Sequence, residues 1–448
     1  MTFDPAVTPP HLPESTSGFH LPSMRASELH DMVSVDVREL FPDIEPPIHN
    51  YGQDPTSVRE AAERALAGID MSKIKPEHSL NILCSEHGFG MMGGAAYAEM
   101  LKTVRDIVVE RTGCRRIQLG FACGLSKSEG IETLPEHGLD DHYEGKVFQF
   151  GPYDKGVAID TEIGRLYSIG KAFKANRIIH CHYDDPREVH FHRLNGRALK
   201  AFTMSYARLE TRSVYHLQFP TQSANLVPRM IYESKFIQDK WAFGMSLLSS
   251  PAGVTGVEAD NDLIAMDKRI TVATLRNYGK MFKLFEELEG CIVVIDGHRW
   301  LHYCHAGGIT SCHLFFGPHD HLDLDAEPPA TGSNPAVKAL VINYMWKQAF
   351  AVQGVPTISA QPSVAKLFRR RAVTDIYPEE TLHDAMEKAY EVAGTRKVMV
   401  FDGTYGAINC TADLAAELKE KAPHVATQVD EELLPKWMRQ RGLEMTKP

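Results

Sequence analysis

Ser79-Leu80-Asn81-Ile82-Leu83-Cys84-Ser85-Glu86-His87-Gly88-Phe89-Gly90 runs from a short apolar segment straight into a glycine-rich turn. The segment has the length and composition of a buried strand. Behind it, Ala95, Ala98, Met100, Leu101, Val104, Ile107 and Val108 fall on one face of a helix. Residues 115–122 form the next apolar run and end at Cys123-Gly124-Leu125-Ser126. Strand, glycine turn, helix, strand is a βαβ unit, so the expectation is an α/β fold with a mainly parallel sheet. Ligands of such sheets bind beyond the C-terminal ends of the strands, where both turns lie. Neither turn is a GxGxxG fingerprint, so a dinucleotide site gains little support.

Working outward, residues 55–70 read as an amphipathic helix closed by Gly68. Residues 1–48, with proline pairs at 9–10 and 46–47, read as a poorly structured extension. Residues 146–150 and 177–182 are further strand candidates. Residues 221–290 read as mostly helical or irregular, with 273–288 the clearest helix, and Cys291–Asp296 as a buried strand. Residues 323–335, rich in Pro, Gly and Ser, are the best linker candidate. Beyond it an apolar segment at 340–350, strands at 355–358 and 397–401 and a helix at 378–393 repeat the α/β pattern. The expected organisation is an extension (1–48), a catalytic α/β domain (49–325) and a C-terminal α/β domain (326–448), with the active site in the cleft between the two domains.

Composition narrows the function classes. Hydrophobic residues at 43% and charged residues at 24% are those of a globular protein. A net charge of −10 argues against nucleic acid or anionic membrane as partner. No apolar run approaches the ~18 residues of a membrane span. The first 22 residues lack the apolar core of a signal peptide. Eight cysteines without a CxxC pair read as reduced thiols of a cytoplasmic protein.

The chemistry is concentrated in Arg187-Glu188-Val189-His190-Phe191-His192-Arg193-Leu194-Asn195-Gly196-Arg197-Ala198-Leu199-Lys200, followed by His216. Taken singly, Lys200 reads as a solvated helix residue and His216 as a satisfied histidine beside a strand. Their spacing is what carries information. His190 precedes Lys200 by ten positions (200 − 190 = 10), and His216 follows it by sixteen (216 − 200 = 16). A lysine amine can anchor a cofactor covalently once deprotonated. Neutral imidazole suits nickel, and a histidine near its ordinary pKa can take a hydroxyl proton.

This segment resembles the active-site segment of the lactate racemase family, whose members use a nickel-pincer nucleotide. The resemblance covers about two-thirds of the chain and is poorest over residues 300–360. It implies a racemase or epimerase of 2-hydroxy acids in which a hydride leaves the carbinol carbon while a histidine takes the hydroxyl proton. It implies that His190 is the proton acceptor, that Lys200 is joined to the cofactor by a thioamide and that His216 ligates nickel. Gly124, Ser126 and Gly196 are then expected to border the cofactor. The substrate would be a small molecule.

The chain departs from the family pattern in three places. The loop after the second strand carries a second catalytic histidine in the family, and Ala122-Cys123-Gly124-Leu125-Ser126-Lys127 has none. The first loop holds Asp-x-x-Arg in the family and Ser85-Glu86-His87-Gly88 here. The loop between His190 and Lys200 also holds less glycine. His87, Ser126, Lys127 or His192 could supply the missing proton acceptor, and His87, on the adjacent strand-end turn, is the first candidate. The small residues at 123–126 would leave room for a substrate larger than lactate.

Two other readings remain. The clustered histidines from His180 to His192 could serve a zinc- or iron-dependent hydrolase, or the fold could be a binding protein without catalysis. A second constellation, His313 with His319-Asp320-His321-Leu322-Asp323-Leu324-Asp325, has metal-ligand residue types but reads better as an exposed acidic loop.

Overall fold

The structure is a computed structural model that describes residues 22–50, 52–89, 93–124, 129–184, 197–218, 226–296, 322–326, 334–344, 354–369, 375–402, 404 and 406–443. The strands are β1 (Met32–Asp36), β2 (Ser79–Ser85), β3 (Arg116–Ala122), β4 (Val147–Phe150), β5 (Gly156–Thr161), β6 (Gly164–Ile169), β7 (Arg177–Tyr183) and β8 (Trp241–Ser250). They continue as β9 (Gly253–Asp260), β10 (Cys291–Asp296), β11 (Val337–Tyr344), β12 (Thr357–Ser359), β13 (Ile376–Tyr377), β14 (Val398–Phe401) and β15 (Ala407–Thr411).

They build two sheets and a β5–β6 ribbon. The first sheet has the order β4-β3-β2-β7-β8-β9, parallel except for the edge strand β9. The second has the order β1-β15-β14-β10-β11-β12-β13, parallel from β14 to β13, with β15 and β1 antiparallel at one edge. The fold is α/β with mainly parallel sheets. Parallel strands covered on both faces read as continuous apolar runs, and residues Leu80 to Cys84 of β2 are all buried.

The helix Gly94–Thr112 covers one face of the first sheet. Its Tyr97 hydroxyl donates to the Cys181 carbonyl at 2.6 Å, which ties the helix to β7. Gly88 lies against the same ring, and a Cβ there would come within 2.0 Å of Tyr97 Cε1. Only glycine lets the turn after β2 approach this closely. The long helix Leu263–Glu286 starts under a side-chain cap from Asp262 and runs from the first sheet to the helices of the second. Among the described residues, no helix is long and apolar enough to cross a membrane.

Four sequence expectations need correction. The stretch read as a loose extension contributes β1, which pairs with β15 from Met32↔Thr411 to Asp36↔Ala407. Arg25, upstream of it, donates from Nε to Asp296 at 2.8 Å. Arg25 and the strand Met32–Asp36 of that extension are therefore tied to the second sheet. Residues 221–290, read as helical or irregular, contain the β8–β9 hairpin; β8 holds no β-branched residue and so lacks the usual strand signal. A boundary at 325/326 would separate β10 from β11, its parallel partner. The strand Cys291–Asp296 thus belongs with the C-terminal sheet. Finally, Asp323, read as part of an exposed loop, is buried, with its carboxyl accepting from Lys436 Nζ at 2.5 Å. Burial pushes its pKa up, but Lys436, Gln440 and the Asp325 N–H together lower it to about 2. His313, His319 and His321 lie outside the described residues.

Candidate functional site

β2 and β7 are neighbours, and both deliver side chains to one pocket at their C-terminal ends. Its wall includes Ser85, His87, His180, His182, Arg197 and Lys200, and its volume is about 80 Å³. Successive strand residues point to opposite faces. His180 and His182 therefore share the pocket face of β7, with ring centroids 5.8 Å apart, while Cys181 joins the core beneath. His180 is buried, and its Nδ1 lies 2.6 Å from the Tyr206 hydroxyl, which donates to the Leu83 carbonyl at 3.3 Å. Burial pushes the His180 pKa down to about 4, so the ring is neutral at physiological pH.

Lys200 sits in the 3-10 turn Leu199–Phe202. Leu199 and Phe202 are buried, and the Phe202 ring contacts Tyr206, Tyr232 and Trp241. Two apolar anchors thus fix the turn while Lys200 stays half-buried at the pocket wall. Just before it, the Ala198 N–H donates to Asp267 Oδ1 of the long helix at 2.8 Å. Arg197 Nη1 lies 2.7 Å from Asp184 Oδ1, both side chains being almost fully buried. The Thr274 hydroxyl donates to the other Asp184 oxygen at 3.0 Å. Asp184 and Arg197 stand on either side of residues 185–196 in the chain, so their contact draws the two ends together.

Asp267 is pushed up from the ordinary 3.8 to about 7, first by burial, against the pull of the Ala198 N–H and Arg197, with Asp184 adding to the rise. The folded protein therefore binds this proton more tightly than the unfolded chain. The contribution to stability is complete below about pH 4 and is lost as the pH rises through about 7. Asp267→Asn keeps an oxygen for Ala198 and removes the titration. Its urea midpoint should fall less across that window than the parent's; equal falls would contradict this role for Asp267.

No family model matches the chain, and no curated protein matches it.

Lys200 and His87 line the same pocket. His87 is partly exposed, with Nδ1 3.6 Å from Glu86 Oε1. Gly124 stands beside that turn rather than on the described pocket wall: its N–H donates to Glu86 Oε2 at 2.8 Å, and a Cβ there would meet Glu86 Oε1 at 2.6 Å. His216 belongs to the helix Leu209–Gln218, and its side chain lies outside what the structure describes. His190, His192, Gly196, Ser126 and Lys127 also lie outside the described residues.

Sequence reasoning passed over Arg197, Asp184, Asp267 and Tyr206 as site residues. The HxH at 180–182 was the visible signal for the β7 pair. Nothing local marks Arg197, because the partners that bury it come from β7's end and the long helix. Among the described residues, no group of three or more His, Cys, Asp or Glu side chains is arranged to hold a metal ion.

Proposed function

We propose that the protein is a racemase or epimerase of a 2-hydroxy acid that works with a nickel-pincer nucleotide, resembling the lactate racemase family. The observation that supports this most is that Lys200 and His87 share one pocket at the C-terminal ends of parallel strands. Lys200 would hold the cofactor covalently and His216 its nickel. The donor set around Lys200 suits such a group: an amine, three imidazoles of which the buried His180 is neutral, and a guanidinium, with no carboxylate on the described wall. Reversible hydride acceptance is the chemistry that the bound cofactor would supply.

The chain's own residues handle the protons. Inversion needs a proton acceptor for each face of the carbinol carbon. His190 would serve one face and His87 the other. His180, neutral and hydrogen-bonded to Tyr206, would order the pocket floor and keep a proton off itself. Phe202 and Tyr206, buried beneath, exclude water from that side.

A chiral assay of 2-hydroxy acids, lactate and larger polyhydroxy or aryl acids among them, tests this reading. Removing a general base typically costs ~10²–10⁴-fold in rate. His87→Ala should therefore slow interconversion by at least the smaller factor while nickel content stays at the parent's level. Parental turnover in this variant would remove His87 from the mechanism.

A second reading, a zinc- or iron-dependent hydrolase, draws on the two histidines that β7 presents to the pocket. Metal analysis separates the two: nickel supports the pincer nucleotide, and zinc or iron supports the hydrolase.

A further inference from the structure

We propose that Arg197 is the anion-binding residue of this pocket, taking a carboxylate or phosphate oxygen of the ligand beside Lys200. The assignment rests on the proposed function only for the name of the ligand; the binding chemistry is carried by Arg197 itself.

The Arg197 side chain is 2% exposed. A guanidinium has five N–H donors in a planar fork. The 2.7 Å approach of Nη1 to Asp184 is an ionic contact that does not run along an N–H, and none of Nε, Nη1 and Nη2 donates a hydrogen bond to the described residues. Buried charged groups are as a rule fully hydrogen-bonded, because unmatched donors cost desolvation energy that nothing returns. Arg197 nevertheless lines the pocket, so its donors adjoin the space that a ligand would enter.

The distribution of charge gives a second, independent reason. The charged residues of the described wall are Arg197 and Lys200. The carboxylate that compensates Arg197, Asp184, is buried and forms no part of that wall, and neither does the buried Asp267. Asp184 meets the guanidinium at Nη1, and Asp267 is occupied by the Ala198 N–H. The pocket is thus cationic on its wall and neutralised from behind, which lets the chain bury Arg197 while keeping the wall attractive to an anion. A planar fork suits the paired oxygens of a carboxylate or a phosphate. A substrate carboxylate and a nucleotide phosphate share this chemistry.

Isothermal titration of the full-length protein, purified without cofactor, distinguishes the sources. The probes are sodium lactate, inorganic phosphate and uncharged lactamide. One anion should bind and lactamide should not; stronger lactate binding assigns the site to the substrate, stronger phosphate binding to the nucleotide. Arg197→Lys keeps a cation opposite Asp184 but loses the fork, and should weaken the preferred anion by roughly tenfold or more. Arg197→Gln with Asp184→Asn removes both charges together and should weaken it at least as much, with circular dichroism reporting the fold. Binding of neither anion by the parent would overturn the proposal. So would parental affinity in Arg197→Lys or in the folded double variant. Absence of nickel and of turnover, with anion binding intact and dependent on Arg197, would defeat the racemase reading and leave this one standing.

Discussion

Asp184→Ala should destabilise the protein by ~3–5 kcal/mol, the usual cost of removing one partner of a buried ion pair. The reason lies in what remains. Arg197 is almost fully buried, and without Asp184 its charge would face only Asp267 among the described carboxylates, which burial drives toward its protonated form. The Thr274 hydroxyl would lose its bond to Asp184 and keep only the Ile270 carbonyl as acceptor. Folded domains are stable by only ~5–15 kcal/mol, so the variant should show a large drop in urea midpoint. A drop below about 1 kcal/mol would mean that the pair is solvated in solution and does not hold the ends of residues 185–196 together.

Lys200→Ala should abolish turnover and nickel retention together while leaving the fold almost unchanged. Leu199 and Phe202 anchor the turn, and Lys200 is only half-buried, so its side chain contributes little to the core. Its proposed task is chemical. Loss of a covalent anchor should reduce nickel content by more than the ~10–100-fold typical of losing a ligand's supporting partner. Lys200→Arg should fail equally, because a guanidinium keeps the charge but not a nucleophilic amine. Parental nickel content in either variant would contradict the proposed anchor role.

The first sheet was legible because its central strands are buried on both faces and separated by glycine turns and an amphipathic helix. The pattern from Ser79 to Ala122 allows few other folds. The hairpin Trp241–Asp260 was not legible, since β8 lacks β-branched residues and its place is fixed by pairing with β7 and β9. β1 was hidden for a related reason: of its five residues only Val35 is buried, and its place is fixed by pairing with β15. At the site, sequence spacing singled out Lys200, and strand-end position singled out His87. The buried charges Asp184, Arg197 and Asp267 come from three separate elements, and their coupling is purely tertiary. No local pattern could announce it.

Whether Lys200 carries a nickel-pincer nucleotide can be read from the mass of the protein itself. The protein would be produced in cells that make this cofactor, then taken through intact-mass spectrometry, peptide mapping and metal analysis. An added mass on the peptide containing Lys200 is expected, with nickel in proportion to that adduct. An unmodified Lys200 with zinc or iron bound in its place would contradict the proposed function.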